Sequence, residues 1–411
     1  MMNTLFYSRP SVVRRLRSGP LGCHMDAFGA WLSAQGYTRE MIRHKLRLVS
    51  HLSQWLRRRG LGIEAVNERR VTEFLCSWGR RHIIHTADRG SFPTLLAWLR
   101  EHNLIAPPVA GREESPLRCI EEDYTRYLIQ ERGLAAATVK NYLPTVHLFL
   151  SGRFGTNQMD LDRLQPQDVT KFICSRTCSR RRIQLVVTAL RSFLRFLWLR
   201  GDISADLAAC VPTVPNRPWS ELPKFVEPEQ VERLLQSCDR RRPVGRRDYA
   251  MLLLMARLGL RAGEIHTLTL DDLDWEAGVL TVRGKGKKQD RLPISREVGN
   301  ALVQYLRHGR PPCATRRLFV RAKAPFRGLA RNGSVCAVVR YACRRAGLSP
   351  AHQGAHLLRH SLATTMLRYG ASLREIGDLL RHRLPQTTEI YAKVDLEGLR
   401  TVAQPWIGGE L

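Results

Sequence analysis

Two proline-bearing stretches divide this 411-residue sequence into three segments. They cover residues 106–116 and 211–224. Because proline lacks a backbone N–H and favours extended conformations, both stretches are expected to be linkers between folded parts. The chain is also too long for one typical domain. We therefore predict three domains, over residues 20–108, 115–212 and 225–400.

The first two segments carry helical patterns that repeat at an offset of about 97 residues. In each segment an apolar helix precedes a glycine, Gly36 or Gly133, and a second amphipathic helix follows it. The phrase VTEFLCS at residues 71–77 is echoed by VTKFICS at residues 169–175. Helical bundles often look alike, but four elements in the same order favour a duplicated helical domain.

The third segment has a mixed pattern. An apolar run at residues 249–258 predicts a buried helix. Alternating residues then predict a hairpin with strands near residues 279–283 and 291–294, joined by GKGKKQD. Helical patterns dominate from there to the end. The predicted fold class is mostly α with a small β-sheet, in which two helical domains precede a mixed α/β domain.

The chain is strongly basic, with 66 Lys and Arg against 37 Asp and Glu, a formal net charge of +29. All three segments contribute to this excess, so it is not confined to a tail. A polyanionic partner is expected, with nucleic acid favoured over an anionic membrane surface.

The apolar runs and the cysteines indicate where such a chain would act. The most apolar run, at residues 251–255, is far shorter than the roughly 20 residues that a spanning helix needs. The N-terminal residues lack the apolar stretch of a secretory signal. Ten cysteines show no pairing rhythm, and Cys174 and Cys178 have no companion pair for zinc. We predict reduced thiols, no bound metal and a cytoplasmic protein without membrane association.

Charged and nucleophilic residues in the third segment recur in short motifs. GLRAGEI places an arginine and a glutamate just after the predicted buried helix, and HLLRHS places a histidine and an arginine on one helical face. GKGKKQD offers lysines at a hairpin tip, and RHRLPQTTEIY places a histidine nine residues before a tyrosine. The candidate residues are Arg261, Glu264, Lys285, His356, Arg359, His382 and Tyr391.

Taken together, these motifs resemble those of the tyrosine recombinases, also called the phage integrase family, over residues 225–402. The middle segment resembles that family's helical, SAM-like core-binding domain. The resemblance implies that Tyr391 is the nucleophile, that Arg261 and Arg359 are the two catalytic arginines, and that Glu264 supports Arg261. It assigns the remaining catalytic positions to Lys285, His356 and His382.

The chemistry implied by the resemblance is transfer at a DNA phosphodiester without metal, ATP or another cofactor. Tyr391 would become joined to a 3′-phosphate, while both arginines bind phosphate oxygens. His356 is expected to serve in general acid–base catalysis, because a histidine pKa lies near neutrality. His382 would hydrogen-bond the same phosphate. Lys285 would protonate the 5′-hydroxyl leaving group, although Lys287 or Lys288 could do so instead.

Other residues near these motifs remain open to simpler interpretations. Arg381 stands where the family usually has glycine, which adds bulk beside the site. We expect His360 to be structural, and Glu264 could pair with an arginine elsewhere. Two basic clusters are expected to contact DNA phosphates rather than only solvent. They consist of Arg180, Arg181 and Arg182, and of Arg240, Arg241 and Arg242.

The resemblance also implies partners and a biological role. The expected partner is double-stranded DNA, bound by a homotetramer in which Leu396, Leu399 and Val402 pack on a neighbouring protomer. Integration or transposition of a mobile element in the bacterial nucleoid is favoured over chromosome dimer resolution, and partner recombinases remain open. The competing interpretations are a type IB topoisomerase and a non-catalytic architectural DNA-binding protein.

Overall fold

The computed structural model describes residues 6–7, 9–80, 82–107, 115–155, 159–215, 223–284, 289–330 and 332–394. Helices dominate this part of the chain, and its one sheet has three strands, which confirms the predicted fold class. No helix in these ranges is long and apolar enough to cross a membrane.

The first segment forms a helical bundle around its own apolar core. Its longest helix, α3, begins after Thr38, whose side chain accepts a hydrogen bond from the backbone N–H of Met41, and buries one apolar face through Ile42 and Leu46. The helices are α1 (Pro10–Leu16), α2 (Met25–Ala34), α3 (Arg39–Arg58), α4 (Glu68–Gly79), α5 (Thr86–Arg89) and α6 (Ser91–Glu101).

A second bundle follows, with a separate core in which Tyr124 packs edge-on against Phe193. Its longest helix ends at Gly201, whose left-handed φ of 79° suits a residue without a Cβ. The helices are α7 (Pro116–Arg126), α8 (Ala136–Phe154), α9 (Pro166–Cys174) and α10 (Arg180–Arg200).

The two bundles share features that support the predicted duplication. Gly36 and Gly133 both adopt left-handed φ values, 83° and 59°, at the turn before the long helices α3 and α8. Similar hydrogen bonds close these turns, from Tyr37 N to the Leu32 carbonyl at 3.1 Å and from Leu134 N to the Leu128 carbonyl at 2.9 Å. The two bundles therefore share the geometry of this turn in addition to the order of the helices around it.

The third segment combines helices with the sheet. Helix α12 is buried along most of its length, because apolar residues cover nearly all of its circumference. The helices are α11 (Pro228–Gln236), α12 (Pro243–Leu258), α13 (Ala262–Thr267), α14 (Arg296–His308), α15 (Asn332–Arg345), α16 (Ala355–Arg368) and α17 (Leu373–Leu380). The strands, in antiparallel order, are β1 (Leu273–Asp274), β2 (Val279–Arg283) and β3 (Gln289–Pro293).

Backbone contacts divide the chain into two compact units, residues 1–107 together with 219–411, and residues 108–218. Within the first unit, Phe326 N donates a 3.2 Å hydrogen bond to the carbonyl of Gln35. A Cβ added to Gly36 would lie only 2.2 Å from the Phe326 ring, so the bundle and the third segment touch closely there. The apolar cores of the three segments are nevertheless distinct, and the division into three domains stays a prediction.

Candidate active site

Helix α16 carries three of the polar residues that surround the site: His356, Arg359 and His360. Leu357 and Leu358 hold this helix in the core. Arg359 lies beside them with only 3% of its surface exposed. A buried arginine is costly unless hydrogen bonds and opposite charges compensate for the water it loses.

The backbone ends of two helices provide that compensation. Nη1 of Arg359 donates to the carbonyl of Gly259 at 2.5 Å, and Nη2 donates to the carbonyl of Leu380. These carbonyls lie at the C-terminal ends of α12 and α17, where unpaired acceptors favour a cation. Burial, reinforced by Arg261 and Arg381, still lowers the pKa of Arg359 to about 9. The site therefore holds an excess of positive charge that an anion would stabilise.

Arg261 and Glu264 form the second part of the site, at the start of α13. Oε1 of Glu264 accepts a 2.8 Å hydrogen bond from Nη1 of Arg261, and Oε2 accepts one of 2.8 Å from the Arg261 backbone N–H. Burial opposes ionisation of Glu264, but the charges of Arg381 and Arg261 and the Arg261 backbone hydrogen bond outweigh it and lower the pKa. The glutamate therefore pairs with Arg261 as a carboxylate.

Tyr391 lies in a 3₁₀ segment, Glu389–Val394, and is only 1% exposed. Its hydroxyl is 2.9 Å from Nδ1 of His360. We expected His360 to be structural, and the structure places it against this hydroxyl. The ring centroids of His356 and His360 are 6.1 Å apart, and the role of His356 in general acid–base catalysis stays a prediction. Burial raises the pKa of Tyr391 to about 12, while Arg359 and Arg261 act to lower it.

His382 follows α17 and faces the same tyrosine. Its ring is nearly parallel to that of Tyr391, with 6.5 Å between centroids, and its Nδ1 is 2.7 Å from Oγ1 of Thr388. Burial, followed by the charges of Arg359 and Arg261, lowers the pKa of His382 to about 4. Thr388, which orients the ring, was not identified from the sequence. Its position in the TTEIY motif, three residues before Tyr391, was the available signal.

The lysines of the hairpin, Lys285, Lys287 and Lys288, lie outside the described residues. Strands β2 and β3 flank them and pair up to Arg283 and Gln289. No cluster of metal-ligating side chains occurs in the ranges that the structure describes.

The two basic clusters differ in how many contacts their arginines make within the protein. Arg180, Arg181 and Arg182 are exposed at the start of α10 and form no ion pair with a described acidic residue. In the other cluster, the Arg240 guanidinium lies 4.8 Å from the centre of the Tyr249 ring, and Arg242 pairs with Asp239 at 3.2 Å. Only the first cluster is fully available to an external anion.

Comparison with known proteins gives consistent matches. Residues 224–397 match the profile of the phage integrase family, and residues 122–201 match that of its N-terminal SAM-like domain. A Sinorhizobium fredii protein named as an integrase/recombinase, y4rA, is 42% identical, covering 98% of both chains. The tyrosine recombinase XerD of Listeria innocua is 34% identical, covering 68% of this chain and 96% of its own.

The fold also resembles solved structures of site-specific recombinases. The structure of XerH bound to a palindromic difH substrate, described as a post-cleavage complex, matches with a TM-score of 0.54 and 19% identity. The match covers 68% of this chain and 83% of that one.

Proposed function

The chain belongs to the phage integrase family and is a tyrosine recombinase, and from this premise we propose that Tyr391 is the residue that attacks a DNA phosphodiester. The observation that carries the proposal is the convergence of this buried tyrosine with Arg359, Arg261 and two histidines. A phosphate beside Tyr391 would meet the excess positive charge of the site.

In the proposed cleavage step, a bond forms between Oη of Tyr391 and phosphorus, and the bond between phosphorus and the 5′-oxygen breaks. The phenolic proton passes to a histidine: His360 is in hydrogen-bonding contact, and His356 lies one helical turn before it on α16. Arg261 and Arg359 stabilise the additional negative charge on the phosphate. Lys285 gives its proton to the leaving 5′-oxygen, which becomes a 5′-hydroxyl. The reverse sequence, with a different 5′-hydroxyl, completes strand exchange.

We further propose that the chain integrates or transposes a mobile element. The similarity to y4rA, named as an integrase/recombinase, extends over 98% of this chain, whereas that to XerD covers 68%. The N-terminal bundle is therefore a feature that this chain shares with y4rA. The test is recombination in cells on a plasmid that carries both of the DNA ends flanking the gene. A circular joint of these ends supports the proposal, and its absence with active enzyme contradicts it.

The nucleophile is tested with a suicide DNA duplex, nicked beside the cleavage site, whose sequence is obtained by selecting bound duplexes from a random pool. Wild-type protein should form a covalent adduct, and Tyr391→Phe should form none, because it lacks the attacking oxygen. Tyr369→Phe is a matched control, since Tyr369 is 84% exposed. An adduct formed equally by Tyr391→Phe would contradict the assignment. Relaxation of plasmids without exchange between sites would instead favour a topoisomerase.

We also propose a homotetramer on two paired DNA sites. This rests on the apolar residues Leu396, Leu399 and Val402, which lie outside the described part of the chain. Truncation after Ala392 should leave binding to one DNA site intact and abolish the slower-migrating complex of two sites in a gel. Unchanged pairing of sites by the truncated protein would refute this role of the tail.

A further inference from the structure

Arg381 has a backbone conformation that ordinarily favours glycine. It follows α17 with φ 56° and ψ 49°, and its N–H donates to the carbonyl of Asp378 at 3.1 Å. A side chain in this left-handed region costs on the order of 1 kcal/mol relative to glycine. A residue kept in an unfavourable conformation at a reactive site is a reason to ask what its side chain contributes.

The guanidinium of Arg381 turns inward and is 5% exposed. Its Nη2 is 2.9 Å from Oε2 of Glu264, while its Nη1 donates to the carbonyls of Leu379 at 3.0 Å and Leu258 at 3.3 Å. Like Arg359, it therefore joins the C-terminal ends of α12 and α17. Its Nε is buried and has no hydrogen-bond partner.

Glu264 is consequently held between two arginines. Oε1 faces Nη1 of Arg261, and Oε2 faces both Nη2 of Arg381 and the Arg261 backbone N–H. Contacts on both oxygens restrict rotation of the carboxylate, so the direction in which it holds Arg261 is restricted as well. Without the Arg381 side chain, Oε2 would keep only the backbone contact.

We propose that Arg381 is a positioning residue for DNA cleavage, which fixes the guanidinium of Arg261 by holding Glu264. The inference rests on the proposed function of Arg261 as a phosphate-binding residue. A rigid, pre-oriented arginine loses less entropy when phosphate binds, and a small displacement of such a group lowers the rate of transfer substantially. The side chain thereby compensates for the conformational cost of its backbone.

Arg381→Gly provides a direct test, because glycine accepts the backbone conformation without strain. The measurements are the single-turnover rate of adduct formation at saturating DNA and the affinity for the same duplex. The rate should fall about tenfold or more, on the scale usual for supporting residues of a reactive site, while the affinity changes less than about twofold. Arg381→Lys retains one donor to Glu264 and should recover most of the rate.

Arg374→Ala is the matched control, because Arg374 is an exposed arginine on α17, the helix that Arg381 follows; it should cleave at the wild-type rate. A folded Arg381→Gly protein that also cleaves at that rate would overturn the proposal. So would a loss of affinity well beyond twofold, since Arg381 would then act as a DNA contact.

A stability measurement separates this inference from the proposed function. If wild-type protein forms no adduct, the assignment of Tyr391 fails, and the role of Arg381 is judged from unfolding of Arg381→Gly, Glu264→Gln and the double variant. Coupled residues should destabilise less together than the sum of their separate effects. Additive effects would overturn the proposal, because Arg381 and Glu264 would then not be energetically coupled.

Discussion

Two histidines beside Tyr391 are kept neutral by their surroundings. Burial, together with neighbouring positive charges, lowers the pKa of His360 and of His382 to about 4, from an ordinary value of 6.5. Between these values the unfolded chain binds protons that the folded protein does not, so stability falls as the pH falls from about 6.5 to about 4. Above this range both states are neutral and the effect is absent.

His360→Gln should therefore be less sensitive to acid than wild-type protein. Between pH 7 and pH 4.5, its free energy of unfolding should fall by on the order of 1 kcal/mol less, because one titrating group is removed. Denaturant titrations at both pH values measure this difference. His308→Gln, at an exposed position on α14, should behave as wild type. An equal loss in the His360 variant and in wild-type protein would contradict the assigned cause.

The individual site residues were predictable from the sequence to different degrees. Short motifs predicted Arg359 and Tyr391 as candidates, because spacing within a helix and order along the chain are local properties. The contact between His360 and Tyr391 joins residues 31 positions apart, and that between Arg381 and Glu264 joins residues 117 positions apart. Such contacts depend on how helices pack, so the sequence showed Arg381 only as added bulk.

At the scale of elements, the junction after α12 shows how closely the site is packed. Gly259 ends this helix with φ 59°, and its carbonyl accepts the hydrogen bond from Arg359. A Cβ at this position would lie 2.5 Å from Cδ2 of Leu380, a fully buried side chain on α17. The absence of a side chain therefore permits the close approach of α12 and α17 on which Arg359 depends.

Gly259→Ala should destabilise the protein by about 2–3 kcal/mol, through backbone strain and crowding together. Gly278→Ala separates these causes, since Gly278 has φ 63° but open space around its Cβ position; it should lose only about 1 kcal/mol. Denaturant unfolding measures both values, and adduct formation should fall only in the Gly259 variant. Equal destabilisation of the two variants would show that α17 moves to accommodate the added methyl group without a further loss of stability.

The elements themselves were largely predictable. The buried helix expected at residues 249–258 lies within α12, and strand β2 spans the expected residues. Strand β3 was expected at residues 291–294, but it spans Gln289–Pro293. Asp290 has low strand propensity, and Gln289 and Asp290 join the sheet because they pair with Arg283 and Val282 across the hairpin. The start of β3 is therefore set by pairing between strands, and the strand propensity of its own residues does not predict it.

For the whole molecule, the net charge of +29 includes both arginines that surround Tyr391 and arginines that are exposed. Arg261, Arg359 and Arg381 lie around one site and are partly or largely buried. The exposed arginines are available to the DNA backbone, where each phosphate contact releases condensed counterions. The salt dependence of the DNA affinity therefore measures the number of phosphate contacts that exposed groups make.

Replacing Arg180, Arg181 and Arg182 with glutamine should flatten that dependence. If each contacts a phosphate, the slope of the logarithm of the association constant against the logarithm of salt concentration should decrease by up to about 2.7, at roughly 0.9 per contact. Fluorescence anisotropy with one labelled duplex measures it. The same replacement at residues 240–242 is the control and should have a smaller effect, since Arg240 stacks on Tyr249 and Arg242 pairs with Asp239. Equal slopes for the residue 180–182 variant and wild-type protein would assign that cluster to solvent, because an arginine that releases no counterions touches no phosphate.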